Sequence, residues 1–235
     1  MSVALSGFLT PVLTMLALGW GIGSQIDDVS SLGTEDYLHF VGPGVMAGTA
    51  MLQGGFSSLW PALGALRWDG MYKNVVRSPA SFADAMTGRL VWIACQVSLS
   101  SVAFLVVLLV TIGWSGFGAL LTPLVAGLTG VAFAAPVLAF SSRRENEQGF
   151  SIVARLTLTP LFVFSGTFTT VDSLPSAITA MVKVFPGYHG IEITRDLINE
   201  RAAVGASVGH LAVLALWIAA GWALSLGGFR KALTA

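Results

Sequence analysis

An all-α, polytopic membrane fold is predicted for this chain, and three observations carry the prediction. Hydrophobic residues make up 54% of its 235 positions and charged residues only 10%, where a soluble domain holds about 25% charged. Stretches of about 20 mainly apolar residues, the length that crosses a bilayer, recur along the sequence. Alternating polar and apolar segments of the kind that build barrels do not recur, so the backbone groups that lipid cannot hydrogen-bond must be satisfied inside helices.

Six such spans can be placed, near residues 4–23, 38–60, 89–113, 116–140, 150–170 and 206–228. The first runs apolar from Ala4 to Ile22 without a charged leader, which predicts a retained helix instead of a cleaved signal. Asp27, Asp28, Glu35 and Asp36 lie between the first and second with no Lys or Arg, which assigns that connection to the outside. Arg67, Lys73, Arg77 and Arg89 precede the third, Arg143 and Arg144 follow the fourth, and Arg230 and Lys231 follow the sixth. These cationic segments are expected in the cytoplasm, with both termini, while Arg155 in the first turns of the fifth span snorkels to the same surface. The chain then reads as a single transmembrane domain over residues 1–235, multi-pass in the cell membrane. Gly19 with Gly23 and Gly44 with Gly48 put small residues on one helical face, where they allow close packing or a subunit interface.

Composition also narrows function. Twelve basic and 12 acidic residues cancel, so no bulk field favours nucleic acid. Cys95 is the only cysteine and is expected to pack, since it can form no intrachain disulfide or CxxC site. His39, His189 and His210 lack the neighbours of a metal site, and no GxxxxGK[ST] run is present to cradle ATP phosphates.

Two non-spanning segments stand out. In "LRWDGMYKNVVR", Trp68, Met71 or Tyr72, and Val75 or Val76 share one stripe, with Arg67, Asp69, Lys73 and Arg77 on the other side. That pattern predicts a short amphipathic helix on the inner surface, either a plain interfacial helix or a docking point for a cytoplasmic partner. Pro79 stops it, and Ser81 with Asp84 starts the next helix through a capping box. In "DSLPSAITAMVKVFPGYHGIEITRD", Asp172 or Ser173 is expected to cap a helix that Pro175 enters in its first turn. Ile178, Met181, Val182 and Phe185 give that helix an apolar face. Pro186-Gly187 breaks it, and a second helix carries His189, Glu192 and Arg195 three residues apart on one face. The pair reads as a re-entrant hairpin in the outer leaflet. Glu192 and Arg195 form either a surface ion pair or an outer gate, and an exchange of their identities is expected to tell the two apart.

These features resemble, in order and over nearly the whole chain, the permease subunits of type-2 ABC exporters. The similarity is to the branch that exports nodulation lipo-oligosaccharides and to the daunorubicin-type drug exporters. The matching pieces are "FLTPVLTMLALGWGIG", "FVGPGVMAGTAMLQGGF", "RWDGMYKNVVRSPASFADAMTGRLVW" and "FSGTFTTVDSLPSAITAMVKVFPGYHGIEITRDL". The resemblance implies a non-enzymatic permease half that moves an amphiphile. It pairs with a second permease, identical or homologous, on two ATP-binding cassette subunits that hold ATP and Mg, so this chain itself carries no cofactor. It also implies that Arg67, Trp68, Asp69, Met71, Tyr72, Lys73 and Arg77 lie on the coupling helix, and that Pro186, Gly187, His189, Glu192 and Arg195 lie on the outer cap. Only Met1 to Val3 precede the apolar run, where members of this branch carry a basic amphipathic segment; either the true start lies further upstream or the subunit depends on its partner for that contact, which leaves a pair of two different permeases open.

Two other classes compete. An intramembrane serine protease could use Ser165-Gly166 and His210, although Val163 stands where a GxSG pattern needs glycine. An ion-coupled secondary transporter needs ionisable groups at mid-membrane, and the predicted spans hold no acid there.

Overall fold

The computed structural model describes residues 36–68 and 79–234, together with Leu13, Ala17 and Thr34. The span expected at 4–23 with Gly19 and Gly23, and Asp69, Met71, Tyr72, Lys73 and Arg77 of the amphipathic segment, lie outside the described residues. Everything regular within them is helical. In chain order the helices are α1 (Tyr37–Ser57), α2 (Trp60–Leu63, continued by a wide turn over Gly64–Trp68), α3 (Phe82–Ile112) and α4 (Thr122–Ser141). There follow α5 (Phe150–Phe164), α6 (Ser176–Val184), α7 (Pro186–Ile198) and α8 (Val204–Thr234).

Local chemistry sets the boundaries. Asp36 caps α1 by accepting the His39 N–H at 2.8 Å. The predicted capping box opens α3: the Ser81 hydroxyl accepts the Asp84 N–H at 3.1 Å, and the Asp84 carboxylate accepts the Ser81 N–H at 2.8 Å. Pro160 removes an N–H from α5, and the ladder loosens into a wide turn over Ala154–Leu158 just before it. Gly166, at φ +94°, supplies the left-handed residue that ends α5.

Three helices are long and apolar enough to cross a membrane: Phe82–Ile112, Phe117–Ser141 and Val204–Arg230. α1 and α5 do not meet that measure; α1 is diluted by glycine, Thr49 and Gln53, and α5 is short as well as interrupted. The three long helices are used differently. In α4, 78% of the most apolar window is buried, against 33% in α3 and 22% in α8. α4 is therefore the post of the bundle, and α1, α3, α7 and α8 all pack on it. Its small residues permit this: α1 crosses where Gly54 meets the backbone of Gly130, and a Cβ there would collide with the Gly130 carbonyl. The outward faces of α3 and α8, with Leu99, Val110 and Leu216 exposed, present apolar surface of the kind lipid covers.

At the end of the bundle near α2, basic side chains close helix C-termini. Arg89 donates at 2.6 Å to Ser57 O at the end of α1, where the free carbonyls and the helix dipole favour a cation, and Arg143 ties the end of α4 to α8 by donating to Ala139 O at 3.2 Å and to Leu224 O at 2.7 Å. The α7 end is built differently.

Candidate functional site

The site begins with a missing hydrogen. Pro43 lies inside α1 and has no N–H, so the carbonyl of His39 one turn earlier lacks its helical donor. The side chain of Asn199, at the C-cap of α7, donates to it at 3.1 Å. The adjacent carbonyl of Phe40 accepts from Arg195 Nε at 3.2 Å. A proline thus gives α7 a place to bind α1.

Arg195 is the centre of this arrangement and is only 9% exposed. Its Nη2 donates to Gly166 O at 2.6 Å and its Nη1 to Glu192 at 2.7 Å, while the guanidinium lies 3.9 Å from the Phe40 ring centroid. One side chain on α7 is therefore bonded to α1, to the end of α5 and to its own helix, a match to the fixed fork of a guanidinium that Lys cannot offer. Burial pushes the Glu192 carboxyl up, with the Arg195 cation pulling it back. Burial likewise pulls Arg195 down, opposed first by Glu192, and with ordinary arginine so strongly basic the guanidinium keeps its proton.

Of the glycines singled out in the sequence, Gly44 and Gly48 lie on the α1 face turned to this clamp. A Cβ on Gly44 would stand 2.8 Å from Thr167 O and 3.2 Å from Arg195 Nη2, and one on Gly48 would stand 2.7 Å from the Phe162 ring. Pro186 and Gly187 form the first turn of α7 instead of a gap between helices. Gly187 is buried against Ser165 and Met51. Pro175 is the N-cap residue of α6 and stands before its first turn, and Asp172 sits in a separate short turn, paired with Lys183 at 2.8 Å. Of the apolar face expected on α6, Val182 is buried and Met181 is exposed. Arg67 and Trp68 close the wide turn after α2.

His189 meets a partner that spacing gave no reason to expect. Its Nδ1 lies 2.7 Å from Nδ1 of His210 on α8, and its Nε2 lies 2.8 Å from Lys183 O. His210 is engaged by His189 and the buried Ser165 hydroxyl has no hydrogen-bond partner, so the structure does not bring together the pair that a serine protease would need. Sequence reasoning also missed Phe40, Asn199 and Gly166. The signal available was Pro43 in a helix, whose freed carbonyl requires a donor from elsewhere.

Beside the clamp is a polar cavity of about 190 Å³, bounded by Tyr188, Glu192, Arg195, Asp196 and Arg201. An apolar groove of about 230 Å³ runs along α4 and α5, bounded by Phe133, Phe140, Leu161, Phe185 and Trp217. No group of three or more metal-ligating side chains occurs among the described residues.

A family model described as "ABC-2 type transporter" matches residues 1–199. Nodulation protein J of Rhizobium meliloti (strain 1021) is 26% identical over 215 residues, covering 90% of this chain and 80% of that protein. Nodulation protein J of Rhizobium leguminosarum bv. viciae is 25% identical over 230 residues, covering 97% and 87%. The Bradyrhizobium diazoefficiens protein of the same name is 25% identical over 231 residues, covering 97% and 86%. No solved structure matches the chain significantly.

Proposed function

The chain belongs to the ABC-2 type transporter family, and from that premise we propose that it is the permease half of an ATP-driven exporter that carries an amphiphile out of the cytoplasm. Its place is the cell membrane, crossed six times with both termini inside. Two ATP-binding cassette subunits supply ATP and Mg, and a second permease, identical or homologous, completes the pathway. The cargo is a lipid-linked saccharide, a glycolipid or a hydrophobic drug.

The observation that carries the reading is the Arg195 clamp. Helix α7 does not span, yet its charge is buried and bonded to the carbonyls of Phe40 on α1 and Gly166 after α5. Non-spanning backbone at membrane depth is tolerated only where it is covered by protein or lines a wet cavity, and α7 does both. An exporter needs one exit that stays closed until ATP acts elsewhere, which is a two-state element biased by a remote ligand. Relative movement of α1 and α5 at this end has to break Arg195 bonds, so the clamp holds the exit shut. The segment from Arg67 to Arg77 passes the movement of the ATP-binding subunits to the helices. The polar cavity suits a polar head and the apolar groove suits its greasy body, which supports an amphiphilic cargo.

Affinity purification of the tagged full chain from its own membrane tests this directly. A co-purifying P-loop ATPase with cargo-stimulated hydrolysis is expected, and its subunit masses distinguish one permease from two. Recovery of the chain alone across several mild detergents would overturn the reading. Replacing Arg67 and Lys73 together by Glu is expected to leave the complex assembled in the membrane but abolish stimulated export.

A further inference from the structure

The contact between His189 and His210 has a chemistry of its own. The two Nδ1 atoms are 2.7 Å apart, a hydrogen bond that needs one proton and one lone pair. Lys183 O, 2.8 Å from His189 Nε2, can only accept, so His189 carries its proton on Nε2 and offers a lone pair at Nδ1. His210 must then donate from Nδ1, which leaves its own Nε2 bare. The backbone carbonyl of one residue thus fixes the tautomers of two others.

The surroundings determine where further protons can go. On α7, Tyr188 packs edge-on against both rings, with centroids 5.2 Å and 5.9 Å away, and Glu192 and Asp196 act on His189 and His210 respectively. Arg195 is occupied by Glu192. From the end of α6 comes Lys183, its Nζ 5.8 Å from the Tyr188 ring and held by Asp172. From α4, the group against this part of α7 is the uncharged Thr129, in contact with Gly190. A first added proton goes to the bare Nε2 of His210 and leaves the bond between the rings intact. A second has only the His189 Nδ1 lone pair to occupy. Both rings then point an N–H at each other as cations, and the contact cannot survive.

We propose that His189 and His210 form a proton-operated latch between α7 and α8, closed with up to one extra proton and opened by the second. Burial pulls His189 below the ordinary imidazole value, and the nearby His210 adds to this against the Lys183 carbonyl and Glu192. A histidine whose folded value is depressed contributes stability that is complete above the unfolded value of about 6.5 and is lost as pH falls through the folded one. The latch therefore opens on the acid side. Its fastening lies near the start of α7 and the Arg195 clamp near its end, so acid frees one end of the helix while the other stays bound. A role in regulating export by external pH rests on the exporter reading above; the latch itself does not.

The test exploits the chain's three histidines. In the ¹⁵N-histidine-labelled full chain in lipid nanodiscs, ring nitrogen shifts above pH 7.5 are expected to show His189 protonated on Nε2 and His210 on Nδ1. On acidification the two are expected to titrate as a coupled pair. In His210→Phe, which keeps an aromatic ring against Tyr188, protonating His189 no longer breaks a bond or meets a cation. Its midpoint is then expected to rise by about one pH unit. His189 protonated on Nδ1, or a His189 midpoint unchanged in His210→Phe, overturns the latch. This readout needs no ATPase partner, so its failure is distinct from failure of the exporter reading.

Discussion

Helices α6 and α7 are separated by Phe185 alone, yet they obey opposite rules. α6 is largely apolar and exposed, with Met181 and Val184 outside and only Val182 buried. α7 carries Tyr, His, Glu, Arg and Asp, yet Gly187, Gly190, Ile191, Thr194 and Arg195 are all buried. In water the arrangement would be the reverse. Against lipid, an apolar helix gains little by burial, whereas a polar one must have its charges and backbone satisfied by protein. Arg195 meets that requirement with two carbonyls, one carboxylate and one ring.

The sharpest way to break this contrast is to remove the arginine. Arg195→Met leaves the half-buried Glu192 carboxylate without its cation and the carbonyls of Phe40 and Gly166 without their donor, and is expected to cost about 3–5 kcal/mol, read by thermal unfolding of the full chain in nanodiscs. Adding Glu192→Gln is expected to recover part of that loss. Exchanging the two identities, attractive from sequence alone, is expected to recover nothing, because Phe40 O and Gly166 O then face a carboxylate and have no donor. Full recovery by the exchange would show that the carbonyl contacts carry no weight.

A second comparison sets Gly44 against Gly205. Gly44→Ala pushes a methyl against the Thr167 carbonyl and Arg195, with an expected cost of about 1–3 kcal/mol. Gly205→Ala, at a position with nothing within 4 Å, is expected to be neutral or slightly stabilising. Equal effects would deny that α1 is fitted to the clamp.

The link through Pro43 should be weaker. Asn199→Ala is expected to cost about 1 kcal/mol by leaving His39 O without its donor. In a Pro43→Ala background, where a helical N–H returns to that carbonyl, the same change is expected to cost measurably less. Additivity in the cycle would separate the proline from the asparagine.

Changes on α6 are expected to be smallest. Met181→Ala should stay within about 0.5 kcal/mol, since little protein contact is lost. Lys183→Ala should leave the unfolding midpoint unchanged, because its partner Asp172 is 81% exposed and solvent screens the pair. A large effect from either would mean that α6 is covered by another subunit.

Much of this was legible in the residues. Ser81 and Asp84 announce the start of α3 because a capping box is purely local. Pro186 reads in the sequence as part of a break, yet it opens the first turn of α7, where its fixed φ and missing N–H fit. His189, Glu192 and Arg195 share a face because helical geometry requires it. The sequence left a meeting of the Ser165 hydroxyl and the His210 ring as an alternative, against which Val163 already stood, and the structure sets His210 against His189 instead.

The sequence by itself determined that the chain is helical and membrane-embedded, where α3 starts, and which family it resembles. These follow from composition, spacing and caps, which act over a few residues. Which apolar helix becomes the post was decided only in three dimensions: α3, α4 and α8 are all apolar, yet α4 is buried and α8 largely is not. Lipid and protein interior are equally greasy, so hydrophobicity cannot sort one face from another. The partners of Arg195 were likewise decided by the fold, because carbonyls 155 and 29 residues away come within reach only when α1, α5 and α7 have packed.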